Sequence, residues 1–135
     1  MIPNEIACWE QYLTNEDFMY LVQYIENIKN GFPNDKMIIL AGPSRSGKST
    51  LIKNINSYLG DDLCEIYPMS IEFIYKENIK PILFFNEISN SKKIIQAIIN
   101  FIKYKQSFIS VTNNIEMVNS KLLDYSKIIL MTHIF

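Results

Sequence analysis

The sequence predicts an α/β protein in which a parallel β-sheet carries helices on both faces. Short apolar runs alternate with amphipathic stretches along most of the 135 residues, as in repeated β-α-β units. The run at 82–85 is apolar without interruption, which is typical of a strand buried on both faces. With 48% hydrophobic and 20% charged residues, the composition indicates one ordinary globular domain. We expect a helical part over 1–33 and a core over 34–135.

The elements follow from periodicity and from their end signals. Ile6, Trp9 and Leu13 recur at helical spacing and predict a short leading helix or arm packed onto the body. Thr14 is a good N-cap, and Gly31 stands where a helix-ending glycine belongs. Helices are predicted over about 15–30, 48–58, 71–77 (capped by Ser70), 91–105 and, as a short helix or turn, 116–124. Strands are predicted over about 37–41, 63–67, 82–87, 107–114 and 127–131.

The segment from Gly42 to Ser49 has the pattern G-x-x-x-x-G-K-S, between a predicted strand and a predicted helix. In this context the pattern predicts a phosphate-binding loop for a nucleoside triphosphate. The glycines allow positive φ, and the N–H groups of 44–48, with the helix start, can cradle phosphate oxygens. Lys48 should reach the β- and γ-phosphates, and the Ser49 hydroxyl should ligate Mg²⁺. The candidate nucleotide-binding residues are Gly42, Pro43, Ser44, Arg45, Ser46, Gly47, Lys48, Ser49 and Thr50.

Two further strands end in polar residues, at Asn86-Glu87 and at Asn113-Asn114. Ligands of such sheets gather outside the carboxyl ends of the strands, so these groups should lie near the phosphate loop if the strands are neighbours. Glu87 would then orient and deprotonate the attacking water, and Asn113 would hydrogen-bond that water or a γ-phosphate oxygen. The candidate catalytic residues are therefore Lys48, Glu87 and Asn113.

Together these segments resemble the motifs of P-loop ATPases of the AAA+ branch, above all superfamily 3 helicases of small viruses and poxvirus- and phage-type primase-helicases. The match covers Gly42-Pro43 and Gly47-Lys48-Ser49 as Walker A, 84–87 as Walker B, and 110–114 as the motif that carries the sensor 1 asparagine. The resemblance implies a three-layer α/β/α fold with a five-stranded parallel sheet of order 5-1-4-3-2. It also implies ATP hydrolysis with Mg²⁺, in helicase-like replication or remodelling of nucleic acid.

The chain departs from that family at three points. Asn86 stands where most relatives have Asp or Glu, so its support for Mg²⁺ should be weaker. The family's arginine finger is absent because Arg45 is the only arginine; Lys127 occupies a comparable place as a possible trans-acting cation. The interval that carries a DNA-contacting hairpin in relatives is filled by one helix. Its basic residues favour a solvated helix face over a nucleic-acid patch: Lys92, Lys93, Lys103 and Lys105.

Composition limits the partners and the compartment. The net charge of −1 gives no global basic field for nucleic acid, and no apolar run is long enough to span a membrane. We expect Cys8 and Cys64 to be buried thiols in a reducing compartment, since two such distant cysteines indicate neither a zinc site nor a disulfide framework. The expected setting is cytoplasmic, or that of a viral protein in its host cell. The expected assembly is a homo-oligomer or a larger replication complex, with single-stranded nucleic acid as a possible partner.

Several alternatives stay open from sequence. The chain is either an ATPase, a nucleotide-binding regulatory or assembly module without turnover, or a small-molecule kinase, although the lack of arginine outside the loop counts against a kinase. Arg45 either contacts a phosphate or a neighbouring subunit, or is simply an exposed loop residue. Tyr12, Tyr20 and Tyr24 either stack nucleic-acid bases or, as we favour, are ordinary half-buried tyrosines. His133 is expected to be structural or exposed.

Overall fold

The computed structural model describes residues 2–67, 79–88 and 90–135, and it contains one parallel sheet. The strand order is β2-β3-β4-β1-β5, which confirms the predicted order read from the opposite edge. Every neighbouring pair is parallel, so the carboxyl ends of all five strands meet at one edge of the sheet. The strands are β1 (Met37–Ala41), β2 (Cys64–Tyr67), β3 (Ile82–Phe85), β4 (Ser107–Thr112) and β5 (Ser126–Leu130).

The helices occupy the predicted positions with small differences at their ends. The leading segment forms only a 3-10 helix, Ala7–Gln11, and the turn predicted after β4 contains a second 3-10 helix, Ile115–Met117. The helix predicted over 71–77 lies outside the described residues. The α-helices are α1 (Asn15–Lys29), α2 (Lys48–Leu59), α3 (Lys92–Lys103) and α4 (Ser120–Leu123).

Both end signals of α1 act as the sequence indicates. The Thr14 side chain accepts a hydrogen bond from the backbone N–H of Asp17 and so caps the first turn. Gly31 has φ +77°, and the N–H of Phe32 donates to the carbonyl of Asn27 at 2.7 Å. This is the Schellman arrangement, which needs a left-handed residue after the helix. It turns the chain back toward the amino end of β1.

Two hydrophobic layers make the fold a three-layer α/β/α structure. Ile38 and Leu40 of β1 pack with α1 and α2 on one face, whereas Met37 and Ile39 pack with α3 on the other. The buried stripe of α3 consists of Ile94, Ile95, Ile98, Ile99 and Ile102. Isoleucine is a mediocre helix former, so burial at roughly 1.5–3 kcal/mol per side chain, and not intrinsic propensity, stabilises this helix.

A buried polar network ties α1 to the amino ends of β1 and β4. The Tyr24 hydroxyl donates to the carbonyl of Lys36 at 2.8 Å and accepts from the N–H of Phe108 at 3.2 Å. The Asn34 amide donates to the Tyr24 carbonyl and to the Ser107 hydroxyl, each at 3.1 Å. Tyr24 is 2% exposed. It therefore cannot stack on a base, and the hypothesis of a three-tyrosine stacking surface is wrong.

Candidate nucleotide-binding site

The loop between β1 and α2 has the backbone conformation that a phosphate cradle needs. Arg45 has φ +66° and Gly47 has φ +90°, so two left-handed residues flank Ser46, which does not have a positive φ. Such alternation turns successive N–H groups toward one concave side. A Cβ on Gly42 would overlap the carbonyl oxygen of Met131, so this position accepts only glycine. The loop ends at Lys48, the first residue of α2, whose free N–H groups face the same concavity.

The Lys48 ammonium lies inside this loop. It donates to the carbonyls of Gly42 at 2.6 Å and Pro43 at 2.7 Å, and to the Ser46 hydroxyl at 3.1 Å. All three acceptors are neutral, and Lys48 is only 8% exposed. Burial lowers the pKa of the ammonium below its usual value, because desolvation disfavours the charged form. A phosphate oxygen at this point would supply the counter-charge that these acceptors lack.

An aromatic pocket of about 580 Å³ adjoins the loop. The Trp9 ring lies against Gly47, where an added Cβ would be 2.5 Å from Trp9 Cη2. Trp9 Nε1 donates to Asn54 Oδ1 at 2.8 Å, which fixes the indole over α2. The volume of the pocket suits a nucleobase and sugar. The pocket is lined by Cys8, Trp9, Gln11, Tyr12, Arg45, Gly47, Thr50, Asn54 and Phe135.

The residues after β5 form one side of this pocket. The N–H of Phe135 donates to the Arg45 carbonyl at 2.9 Å, joining this segment to the phosphate loop. The ring centroid of Phe135 lies 5.0 Å from that of Tyr12 and 5.8 Å from that of Trp9. His133 is exposed, as expected, and its ring centroid lies 4.6 Å from that of Tyr12.

No signal in the sequence predicts the aromatic pocket. The helical spacing of Ile6, Trp9 and Leu13 predicted packing onto the body, but nothing in the spacing showed which part of the body. Cys8 was expected to be buried, and this is wrong: it is exposed and lines the pocket, because the 3-10 helix turns it away from the core. Cys64 is buried as expected, and burial raises the pKa of its thiol to about 11.

The other candidate catalytic residues follow the ends of β3 and β4. β4 lies between β1 and β3, with Leu40 opposite Val111 and Phe85 opposite Ser110. Glu87 and Asn113 are both exposed, and they line an amide-lined pocket of about 380 Å³. This pocket is formed by Asn86, Glu87, Ile88, Asn90, Val111, Thr112, Asn113, Asn114, Met117 and Val118.

Lys127 is engaged within its own chain. It is the second residue of β5, opposite Ile38, and so lies toward the amino edge of the sheet, away from the phosphate loop. Its ammonium forms an ion pair with Asp17 at 3.0 Å and lies 5.6 Å from the centroid of the Tyr20 ring. The hydrogen bond to Asp17 raises the pKa of Lys127. Its action on a neighbouring subunit's site stays a prediction.

The donors available for Mg²⁺ are few. Within residues 2–67, 79–88 and 90–135, no group of three or more His, Cys, Asp or Glu side chains is placed to hold a metal ion. The exposed Ser49 hydroxyl on the first turn of α2 and the exposed Asn86 amide are the predicted donors. Both are oxygen donors of a kind that Mg²⁺ accepts, but neither is a carboxylate, so phosphate and water oxygens would have to supply most of the coordination. Over the same described ranges, no helix has the length and apolar character required to cross a bilayer.

A parallel sheet in this order, with the phosphate-loop sequence between its first strand and the following helix, defines a three-layer α/β/α P-loop fold. Among solved structures, the chain is similar to Thermotoga maritima RuvB, a Holliday junction branch migration motor, with a TM-score of 0.62 and 20% identity. The match covers 92% of this chain and 46% of RuvB. A point mutant of RuvB matches over 98% of this chain and 49% of its own length, at 19% identity.

The chain thus spans about half the length of the RuvB structures that it matches. No protein-family model matches the sequence, and no curated protein matches it. The similarity to RuvB shows the fold.

Proposed function

We propose that this chain binds ATP with Mg²⁺ and hydrolyses it, as an AAA+-type motor or switch in nucleic-acid replication or remodelling. The observation that carries the proposal is the loop from Gly42 to Lys48. Its two left-handed residues, its glycine under a carbonyl oxygen, and its buried ammonium at the start of a helix all support anion binding there. The similarity in fold to a branch migration motor supports the nucleic-acid context.

In this proposal the triphosphate occupies the loop and the base occupies the aromatic pocket. Arg45 and Gly47 belong to both, so the loop and the pocket are continuous. Flat apolar rings such as Trp9 and Tyr12 can stack on a base. The Asn54 oxygen accepts from Trp9, so the N–H₂ group of this amide is the part that can donate to a base or ribose acceptor. The Ser49 hydroxyl ligates Mg²⁺, with the remaining ligands supplied by phosphate and water.

Hydrolysis is assigned to Glu87 as the group that orients and deprotonates water. Asn113 would hold the water or a γ-phosphate oxygen, and Lys48 would offset the charge that develops on the leaving phosphates. When bound, Mg²⁺ supplies electrostatic stabilisation of the same charge. Self-association would allow a cation of one subunit, for which Lys127 is the candidate, to complete the site of another.

The test compares Glu87→Gln with the wild-type protein. We expect unchanged ATP affinity by calorimetry and a loss of turnover of about 10²–10⁴-fold, the range for removing a general base. Glu116→Gln is the matched control, because Glu116 is an exposed glutamate beyond β4 that does not line the amide-lined pocket. Equal turnover in both variants would remove the assignment of Glu87, and absence of ATP uptake by wild type would remove the whole proposal. Phosphate release without an added acceptor favours an ATPase over a small-molecule kinase.

A nucleotide-binding module without turnover is the second candidate. It is favoured by the neutral Asn86 amide beside Glu87 and by the pairing of Lys127 with Asp17, which leaves that ammonium already neutralised. The discriminating result is nucleotide that stays bound with no phosphate release, even at high protein concentration.

A further inference from the structure

A third cleft, distinct from the aromatic pocket and the amide-lined pocket, is lined by lysines from two helices. It has a volume of about 590 Å³ and lies between the first turns of α3 and α4. We call it the lysine cleft. Its lining consists of Lys92, Lys93, Ile95, Gln96, Asn119 and Lys121.

Two of the three lysines of this cleft are placed where helix formation does not favour them. Lys92 and Lys93 are the first two residues of α3, whose first turn contains no acidic residue. Positive charge at a helix N-terminus opposes the helix dipole and costs stability. Within the described part of the chain, the ion pairs involve Lys105 and Lys127 and none of the cleft lysines. A partner with negative charge would reverse this cost.

The third lysine comes from a separate element and converges on the other two. The Lys121 ammonium donates to Gln96 Oε1 at 3.3 Å, across the gap between α4 and α3. Since this acceptor is neutral, the contact orients the ammonium without offsetting its charge. The lining side chains are thus three cations, two amides and one aliphatic group, with no carboxylate. This composition fits phosphate groups.

The amide-lined pocket adjoins the lysine cleft along the chain. Asn90 of that pocket precedes Lys92 by two residues, and Val118 precedes Asn119. At its rim Met117 is 65% exposed, an apolar surface beside the asparagine amides. Amides hydrogen-bond to base edges and apolar side chains contact base faces, whereas ammonium groups pair with phosphates.

We propose that the lysine cleft binds the phosphate backbone of a single-stranded nucleic acid, whose bases extend toward Asn90 and Met117. A single strand is favoured because its bases are free to contact these side chains next to its phosphates. The inference names a binding surface for the nucleic-acid role in the proposed function, and it rests on that role. Strand binding is nevertheless measured without nucleotide, so the two can fail separately.

The test uses a fluorescently labelled oligothymidylate of twenty nucleotides, with binding followed by anisotropy between 50 and 300 mM salt. Two variants carry the same change in net charge: Lys92→Gln with Lys121→Gln in the cleft, and Lys36→Gln with Lys53→Gln on exposed positions elsewhere. Each lost phosphate contact should reduce the slope of log K against log salt by about 0.7. The cleft variant should therefore lose about 1.4 in slope, and about 25-fold in affinity at 0.1 M salt, while the control changes little.

Three outcomes overturn the inference. One is no oligonucleotide binding by the wild-type protein, and another is equal weakening in both variants, which would indicate non-specific charge. The third is unchanged strand affinity in the cleft variant with lower ATP turnover, which would assign these lysines to the nucleotide site of a second copy. ATP affinity is measured on every variant. If ATP affinity is intact while oligonucleotide binding fails, only the nucleic-acid surface is rejected. If oligonucleotide binding is intact while ATP binding fails, only the nucleotide site is rejected.

Discussion

Replacing Gly47 by alanine tests the contact between the phosphate loop and the N-terminal segment. Two costs add. An alanine at φ +90° in the left-handed region costs roughly 1–2 kcal/mol. Its Cβ would also lie 2.5 Å from Trp9 Cη2 and 3.1 Å from Phe135 Cε2, and such overpacking costs roughly 1–3 kcal/mol. The Trp9 ring cannot yield easily, because it is 4% exposed and hydrogen-bonded to Asn54.

The sum is a loss of about 2–5 kcal/mol in the free energy of unfolding. For a chain of this length, 1 kcal/mol shifts Tm by about 3.5 °C, so Gly47→Ala should lower Tm by about 7–18 °C. Gly31→Ala is the matched control: φ is +77°, but no atom lies within 4 Å of its added Cβ. It should lose only the conformational cost, about 4–7 °C in Tm.

Urea and thermal unfolding of both variants, followed by circular dichroism, measure these differences. Trp9→Phe in the Gly47→Ala background removes the overlapping part of the indole, so the double variant should be more stable than the sum of the two single losses predicts. Equal losses for Gly47→Ala and Gly31→Ala, together with strict additivity in the double variant, would refute the placement of Trp9 over the loop.

Two further predictions concern thiol reactivity and pH. Cys8 is exposed in the aromatic pocket, whereas Cys64 is buried and its thiol pKa is raised to about 11, so iodoacetamide should label Cys8 in the native protein and Cys64 only after unfolding. Saturating ATP with Mg²⁺ should slow the labelling of Cys8 several-fold, as followed by mass spectrometry. Undiminished labelling at full ATP occupancy would place the base of the nucleotide outside this pocket. The hydrogen bond to Glu26 raises the pKa of Tyr58 to about 12, above the unfolded value of 10. The contribution of this hydrogen bond to stability is therefore complete below pH 10 and is lost as pH rises through 12. Tyr58→Phe should flatten the fall in the free energy of unfolding between pH 10 and 12, and an unchanged slope would contradict this coupling.

Much of the fold was predictable because its signals are local. The apolar runs at 37–41 and 82–85 have the length and composition typical of strands covered on both faces, and the isoleucine stripe of α3 repeats at the helical period. Thr14 and Gly31 mark the ends of α1 through hydrogen bonds made within a few residues. The strand order followed from the resemblance, since order depends on contacts between distant residues that no local pattern encodes.

The residues whose burial was predicted wrongly depend on contacts that are not local in sequence. Cys8 and Trp9 are adjacent in sequence, yet one is exposed and the other buried, because neighbouring side chains of a helix point about 100–120° apart and only one side of this segment meets the body. Tyr24 is predicted to be an ordinary half-buried tyrosine on an amphipathic helix, but it is fully buried, because its hydroxyl is hydrogen-bonded to residues 12 and 84 positions away.

The sequence by itself determined that a phosphate-binding loop connects β1 to α2, because its glycines, lysine and serine act through their own backbone and a single helix end. Only the tertiary structure decided what surrounds that loop: Trp9 and Phe135, from near the two ends of the printed chain, meet over Gly47 and shape the aromatic pocket. It likewise brought Lys121 beside Lys92 and Lys93, converting what the sequence presents as a solvated face into a convergent cationic cleft. The physical reason is that charge density and cavity shape depend on distances through space, which are set by how helices pack and not by the order of residues along the chain.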